Sequence, residues 1–265
     1  MTRNRPISLT FDSSFGLYEY QGKLKDLNTG RTINESQGGS VFNLGFIGNF
    51  PLDRYLDLGL KLYMEKGYIS GDDVSGFGNQ ENTVYNDLEM RETGLIAELK
   101  IVADDVTIGP ALGTKYKYNY FSNTSDQFVY AGTNSTWTSS WLEAYNKDRI
   151  FTAGITSEFP CFGDTRLGLD IAYDYNTSFA KDSSVVFNME WQNDYLSPSA
   201  KLDVHQSFQR VIRQKYKLAV RPFQLGRYFS LSIYGGFQLD GASEPAVEKA
   251  YGIFLGGLFK YNLPK

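Results

Sequence analysis

The chain holds one histidine and one cysteine, so base or thiol chemistry would rest on His205 or Cys161. A hydrolase that uses serine needs an imidazole beside its hydroxyl and a polar group to orient it. Ser207, two residues after His205, is no recognisable partner. Gly71-Asp72-Asp73 could meet a divalent cation, but two carboxylates without further spaced oxygen ligands fall short of a calcium loop. No Gly-rich phosphate loop, metal-ligand cluster or cysteine nucleophile site is present. No cofactor and no metal are therefore expected, and the candidates for catalysis reduce to Asp203, His205, Asp72 and Asp73.

The charged residues carry more information, because they recur at every second position. Residues 54–65 put Leu56, Leu58, Leu60, Leu62 and Met64 on one face of a strand and Asp57, Gly59, Lys61, Tyr63 and Glu65 on the other. Residues 165–175 set Leu167, Leu169, Ile171, Tyr173 and Tyr175 against Arg166, Gly168, Asp170, Ala172 and Asp174. The pattern recurs in 227–240 and 251–263, and further candidates are 6–20, 40–50, 93–102, 105–120, 149–159 and 213–224, which makes about ten strands.

Their connections alternate. Short turns are expected at 51–53, 103–105, 161–164 and 224–226, and long loops at 24–39, 68–86, 121–148, 178–211 and 241–248. That rhythm predicts an all-β fold: a transmembrane antiparallel up-and-down barrel, with short periplasmic turns and long extracellular loops, formed by 1–265 as one domain. A soluble barrel of the lipocalin kind shows the same alternation with its apolar face inward. Periodicity does not say which face is which. The membrane reading is favoured because glycines share the polar face and aromatic residues gather near the strand ends on the apolar one.

Composition agrees. Tyr and Phe each occur 19 times and Gly 26 times, which suits interfacial aromatic girdles and a curved sheet. No stretch approaches the roughly 20 apolar residues of a spanning helix, and a closed barrel is the other structure that crosses lipid. A net charge of −4 with no basic block gives no support to nucleic-acid binding. The opening Met-Thr-Arg-Asn-Arg-Pro lacks an apolar stretch, so a chain without its signal peptide is expected.

The last strand, with Tyr251, Gly256, Gly257, Phe259 and Tyr261, resembles the C-terminal assembly signal of bacterial outer-membrane proteins, although it ends in Leu-Pro-Lys. The ten-strand layout resembles the omptin outer-membrane proteases. That resemblance implies a site in which an Asp-x-His pair on one long loop faces an acidic pair on another and activates water. Asp203-Val204-His205 has the first spacing, while Asp72-Asp73 is adjacent where the family spaces its acids.

With apolar faces toward lipid, the expected lumen lining is Asp57, Lys61, Glu65, Glu98, Lys100, Lys115, Lys117, Arg166, Asp170, Asp174, Lys215, Lys217, Arg221 and Lys260, together with Asp12, Glu158 and Asp240. Unpaired charges there are costly, so most should pair across strands. A barrel of about ten strands lies near the closed end of the size range. The expectation is a narrow, low-conductance channel for small polar or charged solutes with a salt-bridged lumen, in the outer membrane of a Gram-negative bacterium, and not a wide porin. The alternatives are a structural or surface-binding barrel acting through its loops, with Tyr130, Trp137 and Trp141 as the binding surface, and an omptin-like hydrolase. Outer-membrane lipid and lipopolysaccharide are the expected surroundings, with a small polar solute and an extracellular partner as further candidates.

Overall fold

Alternating side chains at period two dictate strands, and the computed structural model is built of little else. It describes the backbone outside residues 1–5, 26–31, 78–79, 132–133, 163–164, 179, 181–182, 194–195, 206–209, 220–222, 244–246 and 264–265. The side chains at 20–25, 32–37, 69, 72–77, 80–86, 121, 123–131, 134–137, 197–198, 203–205, 210–212, 242–243 and 247–250 also lie outside the described set.

The strands are β1 (Ile7–Lys25), β2 (Thr32–Pro51), β3 (Leu56–Phe77), β4 (Gln80–Ala103), β5 (Val106–Ala131), β6 (Asn134–Pro160), β7 (Arg166–Asn176), β8 (Ser184–Gln192), β9 (Leu196–His205), β10 (Arg210–Ala219), β11 (Phe223–Gln224), β12 (Phe229–Ser243) and β13 (Val247–Leu263). Sequence neighbours pair antiparallel except β10 and β11, β1 pairs with β13, and β10 pairs with both β9 and β12. Twelve strands thus close into a ring, and the two-residue β11 pairs with the start of β12 outside that closure.

Twelve strands replace the ten expected, and the difference lies in 178–211. That interval contains β8 and β9 rather than a long loop. Pro198 disguised β9, since a proline inside an apolar run argues against a paired strand. Here Pro198 pairs with Tyr216 of β10, whereas the ladder toward β8 stops at Glu190↔Ser199.

The expected loops 68–86 and 121–148 are also largely strand. β3 and β4 pair as far as Phe77↔Gln80, and β5 and β6 as far as Ala131↔Asn134. These hairpins rise well beyond the ladder that β7 forms with β6, which begins at Ile150↔Asn176.

Closure answers which face is which. Leu112 is 63% exposed, Leu255 65% and Ile171 55%, while Ser14, Thr152, Asp174 and Gln238 are buried. The apolar side chains point away from the ring and the polar ones into it. This is the reverse of a soluble barrel and the arrangement that lipid requires.

One irregularity tightens the wall. The β4–β5 ladder is interrupted between Glu98↔Ala111 and Ile101↔Ile108. Pro110, which has no N–H to donate, sits in that gap beside Gly109. A β-carbon at Gly109 would stand 1.8 Å from the Leu99 carbonyl oxygen, so only glycine lets the two backbones approach this closely.

Candidate functional site

On the inward face, side chains from distant parts of the sequence converge. Arg213 on β10 approaches Glu65 on β3 to 3.6 Å. These strands are five steps apart around the ring, so the two side chains meet through the interior. Arg213 also contacts Asp240, its direct neighbour on β12, at 3.2 Å. Gln238 donates to the same carboxylate at 2.9 Å and accepts from the Tyr18 hydroxyl at 3.2 Å. Lys217 lies 3.6 Å from Asp12, which also accepts from Tyr234.

A second cluster occupies the opposite wall. Lys115 on β5 pairs with Asp174 on β7 at 2.5 Å, both almost fully buried, and Thr152 on the intervening β6 donates to the other oxygen of Asp174 at 2.7 Å. Lys117 pairs with Glu92 at 3.3 Å, and Tyr63 donates to Glu92 at 2.7 Å. Asn188 donates to Asp170 at 3.1 Å. A buried charge without a partner costs several kcal/mol, by order of magnitude, and these networks offset that cost.

Three interior tyrosines share one device. Tyr18, Tyr63 and Tyr234 stand directly opposite Gly252, Gly94 and Gly256 on the next strand. A β-carbon at any of those glycines would fall 2.2 to 2.4 Å from the ring, so the missing side chain is where the ring lies. Each hydroxyl then reaches a polar group of the network.

Toward the short turns the interior opens into a vestibule of about 890 Å³. Asp57, Lys100, Arg166 and Lys260 line it, with Arg54 and Glu158. Lys100 pairs with Glu98 at 2.8 Å, and Arg166 pairs with Glu158. Lys61 is exposed, with its ammonium 5.9 Å from the Tyr63 ring centre. Lys215 lies over the Phe254 ring, 4.5 Å from its centre. Arg221 falls outside the described residues.

Glu92, Arg213, Asn188, Gln238 and the three tyrosines are network members that the list of expected lumen charges omits. Glu92 and Arg213 sit at or just beyond the ends of the segments 93–102 and 213–224, and continuing the same parity would have included both.

The candidates for catalysis are distributed differently. Asp72 and Asp73 belong to the β3–β4 hairpin, opposite Tyr85 and Val84, and Asp203 and His205 to the last residues of β9. β3 and β9 stand six steps apart in a ring of twelve. The four side chains lie outside the described set, as do those of Tyr130 and Trp137. Trp141, on the ascending part of β6, is 66% exposed.

No protein-family model matches the chain, and no curated protein is similar to it. Among solved structures, the chain is similar to the outer membrane protease OmpT from Escherichia coli, at 11% identity over 98% of both chains with a TM-score of 0.42. It is also similar to the transport unit of the autotransporter AIDA-I from Escherichia coli, at 13% identity over 98% of this chain and 91% of that one, TM-score 0.47. The CymD monoaromatic hydrocarbon channel is similar at 8% identity over 99% and 90%, TM-score 0.45.

The outer surface has an ordered edge on the side of the long hairpins. Leu62 and Leu95 face each other in the apolar belt, and two residues further along β3 the register brings Met64, Thr93, Tyr116 and Arg149 into one row. The next row is Lys66, Arg91, Tyr118 and Lys147, and the one beyond is Tyr68, Glu89, Tyr120 and Tyr145. Lys147 lies 5.9 Å from the Tyr118 ring centre and 5.5 Å from that of Tyr145. Glu89 meets Lys66 at 3.1 Å and Arg91 at 3.3 Å. Beyond the belt, hydrogen bonds from Tyr68 to Asp87 and from Tyr120 to Glu143 push both phenols above their ordinary pKa.

Proposed function

We propose that this chain is a Gram-negative outer-membrane barrel that acts as a narrow, low-conductance channel for small polar or charged solutes. The observation that carries this reading is the interior itself: a polar vestibule of about 890 Å³ leads into a lumen lined by paired charges rather than apolar packing. Twelve strands stand between the filled eight-stranded barrel and the open sixteen-stranded porin. In planar bilayers the folded protein is expected to give small, discrete openings. If folded protein gives none, the channel reading ends and a structural or surface-binding role replaces it. The β5–β6 hairpin favours that second reading, since Trp141, Leu142 and Tyr145 are all well exposed on it.

The two rows of cations and tyrosines at the belt edge support phosphorylated outer-leaflet lipid, lipopolysaccharide above all, as the lipid partner. Lysine and arginine at that height meet headgroup phosphates while tyrosine rings sit at the interface. Replacing Arg91 and Lys147 together by glutamine is expected to lower the phosphorylated lipid retained through detergent purification by roughly severalfold, at about 1 kcal/mol per cation. Phosphate analysis of the purified protein checks this. Equal retention by both proteins would remove the assignment.

A further inference from the structure

Strand β10 presents cations at three successive inward positions, Arg213, Lys215 and Lys217. The outer two are neutralised, Arg213 by Asp240 and Glu65 and Lys217 by Asp12. Lys215 is not. Among the described residues no carboxylate stands within 4.0 Å of its ammonium, whose only close contact of note is the Phe254 ring at 4.5 Å.

The groups beside it are engaged elsewhere. Gln238, opposite Lys215 on β12, has its amide nitrogen on Asp240 and its carbonyl oxygen on the Tyr18 hydroxyl. Opposite Lys215 on β9 stands Ser199, which carries no charge. The ring on the remaining side offers a quadrupole and no hydrogen-bond acceptor of carboxylate strength. Asp12 and Glu65 act on this half-buried ammonium from beyond contact distance, and each is in direct contact with another cation, Lys217 and Arg213.

We infer that Lys215, the one β10 cation without a carboxylate among the described residues, is the binding station of a small anion in transit, which makes the pore anion-preferring. The inference rests on the channel reading above and gives it a substrate class. Lumen charges act over a short range in a narrow pore, because low-dielectric walls focus the field of an unpaired group. Losing that one charge therefore changes ion preference more than it changes the wall.

The test is the reversal potential of the purified full chain in planar bilayers under a KCl gradient, repeated with potassium acetate. The wild-type protein is expected to prefer chloride over potassium. Lys215→Gln is expected to lower the chloride-to-potassium permeability ratio by about twofold or more, while Lys215→Arg preserves it. Lys260→Gln, in the wide vestibule, should change it less. A cation-preferring wild-type pore overturns the inference without any variant, and so does an unchanged ratio in folded Lys215→Gln. Both results leave the channel reading standing, whereas absence of discrete conductance in the wild type removes that reading first.

Discussion

Gly109→Ala is expected to prevent the barrel from assembling, or to leave it about 3 kcal/mol or more less stable. The added carbon would lie 1.8 Å from the Leu99 carbonyl oxygen, 2.8 Å from its carbon and 3.0 Å from the Lys100 α-carbon. All three are backbone atoms of the neighbouring strand, so no side chain can rotate away to make room. Relief requires β4 and β5 to separate where Pro110 already leaves their ladder open. Gly241→Ala is the matched control, because nothing lies within 4 Å of its β-carbon position. The comparison is read from the fraction of compact, heat-modifiable protein on cold gels and from urea unfolding in detergent. Equal behaviour of the two variants would falsify the close approach of these strands.

Parity was legible in the sequence wherever lipid touches the wall. The alternations in 54–65, 165–175 and 251–263 reappear as β3, β7 and β13 with their apolar members outward, because a strand with lipid on one side must keep that side apolar. Beyond the lipid the requirement lapses. The ascending parts of β5 and β6 carry Ser, Thr and Asn on both faces, as in Ser122, Thr138, Ser139 and Ser140, so no period remains and they read as a loop although they pair as far as Ala131↔Asn134. β8 did alternate, with Val185, Phe187, Met189 and Trp191 against Ser184, Asn188 and Glu190. It was hidden by its position between Asn176 and the proline of β9.

Partnerships were less legible than faces. Parity places Arg213 with Lys215 and Lys217, and Glu65 with Lys61, but the meeting of Arg213 with Glu65 depends on how many strands close the ring. With ten strands those two positions would stand in another relation. Asp72 and Asp73 were expected on one loop and Asp203 and His205 on another, and their backbone belongs to β3 and β9. Both intervals contain strand, and strands hold residues at a fixed station on the wall.

The pair most sensitive to substitution is Lys115 with Asp174. Each side chain keeps only 9% of its surface exposed, and the pair spans β6 to join β5 with β7. Lys115→Met leaves Asp174 with the Thr152 hydroxyl, at 2.7 Å, as its remaining side-chain hydrogen bond among the described residues. Asp174→Asn leaves the lysine charge without a counter-ion. Either change is expected to cost about 3 to 5 kcal/mol, the usual penalty for stranding one member of a buried pair. Lys115→Met with Asp174→Leu removes both charges and should recover most of that loss, since two apolar groups of similar volume need no counter-charge. A double-mutant cycle by urea unfolding in detergent therefore predicts a coupling energy of about 2 kcal/mol or more. If the single variants lose less than about 1 kcal/mol, the value typical of solvated pairs, water reaches this level of the lumen and the wall there is open rather than sealed.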